Sequence, residues 1–165
     1  MILLNSNFRT VRGYELKRTN KDSLTPSLED YLEMIYRNSL EEPYIRISVL
    51  ASLLNVRDSS ASKMVKKLWE LGLVNYEKYG IVTLTEEGKI EGEFLLNRHN
   101  IIEEFLYFIG CDENTLLQTE LIEHYVSPST VERIEDLYNF FYNNRDILER
   151  YIYYREANFK DGMNI

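Results

Sequence analysis

The 165-residue chain holds one cysteine, two histidines, three prolines and seven glycines. A lone thiol, Cys111, makes no intramolecular disulfide, and it rules out the two-cysteine, two-histidine and four-cysteine patterns of a structural zinc site. So little glycine and proline excludes a collagen-like or low-complexity chain. No apolar run approaches the ~18 residues needed to cross a bilayer. The opening stretch MILLNSNFRTVRGY has too short an apolar core for a signal peptide. The expectation is a cytoplasmic protein with no membrane contact. At 44% hydrophobic and 28% charged, the chain can bury a core without staples, and its length suits one domain or two small ones.

Positive charge is scarce as well: 19 Lys and Arg against 27 Asp and Glu, a net charge of −8. Taken whole, that balance argues against nucleic acid, whose phosphates demand cations. The charge is unevenly spread, however, with residues 1–24 at +3, residues 25–98 at −3 and residues 99–165 at −8. The acidic end needs a reason, and repulsion of wrong partners, solubility and cation binding are the candidates.

Residues 1–24 show no helical period and read as an N-terminal extension, either disordered or a basic arm. Thr25-Pro26 then reads as an N-cap followed by proline at the first helical position. Leu28, Tyr31, Leu32, Ile35 and Tyr36 fall at helical spacing, which predicts a first helix ending before Glu41-Glu42-Pro43. A short helix over 45–54, with Ser48 as its cap, and a second from about Asp58 to Leu71 make a helix-turn-helix. Residues 73–77 and 81–85 alternate on either side of Tyr79-Gly80, predicting the β-hairpin of a winged helix. Thr85 should cap a long helix that Gly110 stops. Helices over about 113–125, over 128–141 started by Ser127-Pro128, and over about 145–157 complete a mainly α chain: a winged-helix domain over residues 25–92 and an all-helical domain over 93–165.

In the predicted second helix of the helix-turn-helix, Arg57, Lys63, Lys66 and Lys67 accompany the small hydroxyl residues Ser59, Ser60 and Ser62. Small side chains let a helix approach the major groove, and the lysines suit phosphates; Lys78 adds a cation at the wing. The ordinary alternative is a basic surface helix in a protein-interaction module. Val65, Leu68 and Trp69 read as core.

Both histidines lie in the acidic half. Glu120 and His124 share a helix face at i, i+4 spacing, with Glu123 nearly on it, and Asp30 and Glu33 form an i, i+3 pair on the first helix. A solvated acidic face is the commoner reading of such spacing, and divalent-metal binding is the other. Di-iron chemistry is a poor fit, because Leu occupies positions 96 and 121 where Glu-x-x-His motifs would need Glu. A metalloenzyme would also need a general base outside this set, and Glu103 is the best spare carboxylate.

Taken in order, TPSLEDYLEMIY (25–36), SSASKMVKKL (59–68), GLVNYEKYG (72–80), LTEEGK (84–89), RHNIIEEFL (98–106) and ELIEHYVSPSTVERIEDL (120–137) resemble the diphtheria-toxin-repressor family of metal-activated transcription regulators, above all its manganese-sensing branch. The resemblance implies a winged-helix DNA-binding domain followed by a helical metal-binding and dimerisation domain. It also implies a metal site between the two, formed by Asp30, Glu33, His99, Glu120, Glu123 and His124. Four carboxylates with two imidazoles suit Mn2+, with Fe2+ possible and Zn2+ or Co2+ able to substitute in vitro. The iron-sensing relatives have methionine and cysteine at the positions of Asp30 and Glu120. The implied function is an Mn2+-activated repressor of metal-uptake genes, a homodimer on a palindromic operator. A dimer seam on the apolar faces of the long helix and the helices after it, including Phe105, Phe108 and Ile109, is expected.

Without a cation, the crowded carboxylates should push the first helix away or raise some of their pKa values. The chain departs from the family pattern in having Asp58 where proline is frequent, and Gly80-Ile81 where the wing tip often has arginine-glycine.

Overall fold

The computed structural model describes residues 24–111 and 113–161, with the side chains of 78 and 159–161 outside the description. The N-terminal extension expected over residues 1–24 therefore lies, apart from Leu24, outside the described residues. Among those described, seven helices and one small sheet follow in order: α1 (Pro26–Ser39), β1 (Ile45–Arg46), α2 (Ile47–Leu53), α3 (Asp58–Glu70), β2 (Val74–Tyr76), β3 (Ile81–Leu84), α4 (Glu86–Ile109), α5 (Thr115–Ile122), α6 (Pro128–Asn143) and α7 (Arg145–Asp161). Short 3-10 turns occupy Lys78–Gly80 and Glu123–Tyr125.

Caps fix the starts of three helices where the sequence places them. The Thr25 hydroxyl accepts from the Leu28 amide, that of Thr85 from the Gly88 amide and that of Ser127 from the Thr130 amide, each satisfying a donor that a helix N-terminus leaves unpaired. Gly110 ends α4 with φ +93°, a left-handed conformation that costs glycine little.

The sheet is antiparallel in the order β1-β3-β2, with Ile45 opposite Val82 and Val74 opposite Leu84. Residues 45–46 were expected inside a helix. They form an edge strand instead, because Ile45 buries its side chain against the core only when paired with Val82. Helix α2 accordingly starts at Ile47 after Arg46, and Ser48 lies within its first turn rather than capping it.

One core joins α1, the sheet, α2, α3 and the first half of α4 through Leu32, Ile35, Leu50, Val65, Leu68, Val82 and Leu95. Trp69, expected in it, is 52% exposed: Ala61, Val65 and Leu68 form the inward stripe of α3, and the next residue turns off it. A smaller core gathers Ile102, Leu106 and Val131. Helix α4 is unbroken through residue 92, so the two halves share one strut. At Gly92 a Cβ would stand 2.6 Å from the Cβ of Tyr36, so the missing side chain is what lets α1 lie tightly against α4. That crossing brings the acids of α1 to His99.

Candidate metal centre and nucleic-acid interface

Helix α1 presents Asp30 and Glu33, α4 presents His99, α5 presents Glu120, and the 3-10 turn after α5 presents Glu123 and His124. Two three-donor groupings result, Asp30–Glu123–His124 and Glu33–His99–Glu123, each with its donor atoms within 4.8 Å of one another. Glu123 belongs to both. Glu120 stands at their mouth, its carboxylate 3.9 Å from His99 Nδ1 and its side chain half exposed.

The predicted shared face of Glu120 and His124 assumed an α-helix through Tyr125. The helix instead ends at Ile122, and the following 3-10 turn, at three residues per turn rather than 3.6, leaves Glu123 inward and almost wholly buried while Glu120 remains outside.

The two imidazoles turn different nitrogens inward. His99 directs Nδ1 at Glu123, 2.9 Å away, and Nε2 toward Glu103 at 4.0 Å. His124 directs Nε2 at Asp30, 3.0 Å away, while its Nδ1 lies 2.7 Å from Glu29 Oε2. Arg98 Nη2 donates to the same Glu29 oxygen at 2.7 Å. Neither Glu29 nor Arg98 belongs to the set drawn from the sequence. A carboxylate on the outer nitrogen of a histidine orients the ring so that its inner nitrogen faces the site, and Arg98 anchors that carboxylate from α4. A third residue outside the set, Arg37, brings Nε and Nη2 to Glu33 Oε1 at 2.9 and 2.7 Å.

These cations offset much of the crowding. Hydrogen bonds with Asp30 and Glu29 push His124 up to about 10, against the pull of burial. Burial depresses His99, but hydrogen bonding to Glu123 and the nearby carboxylate charges outweigh it and leave its pKa raised. Burial likewise raises Glu29, yet its bonds to His124 and Arg98 bring it below the ordinary value. Glu120 is raised, by burial first and then by the charge of Glu123, as crowding predicts; with Arg37 and Arg98 in place, α1 lies against α4.

The donors suit a divalent cation of hard or intermediate character. All are carboxylate oxygens or imidazole nitrogens, none is sulfur, and two of them, Glu123 and His99, are at most 2% exposed. Acids buried to that degree require either protons or cations beside them.

On α3, Ser59, Ser60, Lys63, Lys66 and Lys67 are exposed on the face opposite Ala61, Val65 and Leu68, with Ser62 half-buried at its edge. Arg57, exposed, is the N-cap residue and makes no side-chain cap bond, and Asp58 occupies the first helical position. There its charge favours the helix dipole. The Lys78 side chain lies outside the described residues, although its backbone opens the wing turn. Tyr79, which the sequence offered only as a turn residue, projects from the wing tip 94% exposed at φ 68°.

Two family models match nearly end to end. The iron dependent repressor, N-terminal DNA binding domain, covers residues 23–82, and the iron dependent repressor, metal binding and dimerisation domain, covers residues 85–150. The chain is 47% identical over 118 residues to a protein of Oceanobacillus iheyensis named HTH-type transcriptional regulator MntR, a match spanning 71% of this chain and 80% of that one. Its identity to the protein of the same name from Lysinibacillus sphaericus is 42% over 127 residues, 76% of this chain and 91% of the other. Among solved structures, the manganese regulator SloR superposes with a TM-score of 0.60 at 34% identity, over 71% of this chain and 55% of that one. A manganese-dependent transcriptional repressor in complex with manganese superposes with a TM-score of 0.58 at 30% identity, over 68% and 53%. The chain spans about half the length of these two structures. No helix among the described residues is long and apolar enough to cross a membrane.

Proposed function

The chain belongs to the iron-dependent repressor family of metal-dependent, DNA-binding transcription regulators, and from that premise we propose that it represses metal-uptake genes in response to Mn2+. It is a regulator and not an enzyme. The observation that carries the reading is the pair of three-donor cages sharing Glu123, built jointly by α1 of the winged-helix half and by α4 and the 3-10 turn of the helical half. We assign Asp30, Glu33, His99, Glu120, Glu123 and His124 as the ligands. A bound divalent ion supplies positive charge that draws these carboxylates together.

The rest of the switch belongs to the chain's own residues. Asp30 and Glu33 are fixed to α1, which packs directly on the core beneath α3, so holding α1 against α4 also holds the recognition helix at a set distance from the dimer axis. Two half-sites are engaged together only when the two recognition helices stand at the right separation, which suits a palindromic operator read by a dimer in the cytoplasm. The reading surface is the exposed face of α3 with Arg57, Ser59, Ser60, Ser62, Lys63, Lys66 and Lys67, with Lys78 and Tyr79 from the wing. Mn2+ is favoured over the other candidates by the oxygen-rich donor set and by the names of the similar proteins.

For the dimer seam expected on the long helix and the helices after it, α5 offers an open apolar face: Leu116, Leu117 and Leu121 are each more than half exposed. Phe108 also stacks on Tyr151 within the chain at a centroid distance of 5.0 Å and pairs with Phe105 at 6.3 Å, and Ile109 packs against the small core.

Allosteric coupling of ordinary size, about 1–3 kcal/mol, tightens DNA binding roughly 5- to 150-fold. Fluorescence anisotropy with operator DNA, titrated with MnCl2 and then with chelator, should show that gain and its reversal. Replacing Glu123, common to both cages, by Gln should abolish it. Equal DNA affinity with and without Mn2+ in the unaltered protein overturns the proposal.

A further inference from the structure

The two cages share Glu123 but differ in what already occupies their oxygens. In the first, Asp30 Oδ1 faces His124 Nε2 at 3.0 Å, and among the described residues no lysine or arginine pairs with Asp30. In the second, Glu33 Oε1 lies 3.9 Å from His99 Nδ1, and that same oxygen receives both Nε and Nη2 of Arg37 at 2.9 and 2.7 Å. The other nearby guanidinium, Arg98, bonds Glu29, which belongs to neither cage, and lies 3.4 Å from His124 Nδ1, the nitrogen turned away from Asp30. So a guanidinium occupies a ligand oxygen of the Glu33 cage, whereas the oxygen of Asp30 faces only the imidazole of its fellow ligand His124.

Arg37 is placed there by helix geometry, one turn beyond Glu33, where an acid and a base at i, i+4 meet. Its side chain is 38% exposed, whereas that of Glu33 is only 9% exposed. The guanidinium can therefore leave toward water along its own stem, while the carboxylate cannot follow it without leaving the site. Two charge-assisted bonds to one largely buried oxygen exceed an ordinary surface ion pair in strength. A divalent ion at Glu33 must displace them and then tolerate a neighbouring positive charge.

Resting on the metal reading above, we propose that Arg37 is a tethered competitor for the Glu33–His99–Glu123 cage. It holds Glu33 until a divalent ion displaces it to solvent. Arg37 consequently raises the Mn2+ concentration at which this cage fills, and with it the concentration at which both are full. It is a threshold-setting residue that acts through a ligand.

The test is a binding isotherm for MnCl2 alone on the full chain, with free Mn2+ counted by electron paramagnetic resonance. The unaltered protein should bind two Mn2+ ions. In Arg37→Gln one binding step should stay in place and the other should tighten by roughly 3- to 30-fold, the range between a surface pair and a charge-assisted buried one. Arg37→Lys keeps the charge but loses the two-pronged grip, and it should fall between the two. The Mn2+ midpoint for operator binding should drop in the same order. An isotherm in which neither step tightens in Arg37→Gln overturns the proposal, since the arginine would then be idle or would orient Glu33. Failure of the unaltered chain to bind Mn2+ at all overturns the metal reading itself, and so is told apart from failure of this one.

Discussion

In the winged-helix half, thirteen buried residues drawn from helices and strands close a single core, joined by Leu95 from the shared helix α4. In the helical half, only Ile102, Leu106 and Val131 are buried in a comparable cluster, and three leucines of α5 stand in the open. The first half finds its apolar partners within itself. On the function proposed above, the second, carrying the chain's net negative charge, meets its needs from outside: another subunit for its leucines, and cations for its acids. A regulator would gain from this division, because the core beneath the reading helix does not draw on the metal site.

The largest expected effect breaks the comparison on the helical side. Leu117 and Leu121, 59% and 62% exposed and one turn apart on α5, should tolerate charge in a monomer and not in a dimer seam. Leu117→Asp with Leu121→Asp should convert the protein to monomer at micromolar concentration in sedimentation velocity and abolish two-half-site DNA binding, while far-ultraviolet circular dichroism retains the helical signal. A double variant that sediments like the unaltered dimer would show that the open leucines have another purpose.

The tie between the halves is next in size. Glu29 on α1 contacts His124 and Arg98, residues 95 and 69 positions away, at 2.7 Å each. Glu29→Gln keeps the shape and removes the charge that fixes the imidazole. Loss of such an outer partner typically lowers metal affinity 10- to 100-fold, and calorimetric titration with MnCl2 should find that loss at the Asp30–Glu123–His124 cage. Nitrogen NMR of the labelled imidazole in the metal-free protein should show His124 releasing its proton at lower pH in Glu29→Gln, because the Glu29 carboxylate helps hold that proton. An unchanged titration with unchanged affinity would reduce Glu29 to a surface charge.

The contrast also explains what sequence reading could reach. Thr25-Pro26, Thr85 and Ser127-Pro128 announced their helices because capping is a contact within four residues. The hairpin wing and the stripe of Ala61, Val65 and Leu68 are likewise local patterns. The strand at Ile45-Arg46 was illegible, since its partner Val82 lies 37 positions on and no local preference marks two residues as an edge. Trp69 followed its hydrophobicity into the expected core, but helix phase decides the side on which a residue falls.

At the candidate metal centre, the six expected residues were drawn from family likeness. The structure brings five into the cages and leaves Glu120 beside His99. Spacing alone missed the break after Ile122, which redirects Glu123. Arg37 carried a readable signal, the i, i+4 charge pair with Glu33, whereas the role of Glu29 depended on partners that only the folded chain supplies.

The smallest expected effect sits at the junction and sharpens the comparison. Thr85 holds both neighbours at once: its hydroxyl donates to the Gly72 carbonyl at 2.7 Å and accepts from the Gly88 amide at 3.0 Å. The first bond belongs to the turn ahead of the wing, the second to the start of α4. Thr85→Ala removes the cap, for which the usual loss is about 1 kcal/mol, and leaves the Gly72 carbonyl to water because the site is exposed. Urea unfolding should therefore show a drop of about 1 kcal/mol with no change in slope. Mn2+ affinity should stay the same, since no ligand hangs on that turn. If Mn2+ affinity fell alongside stability, the start of α4 would be part of the sensing apparatus, and the division between a self-sufficient reader and a dependent sensor would have to be drawn further toward the N-terminus.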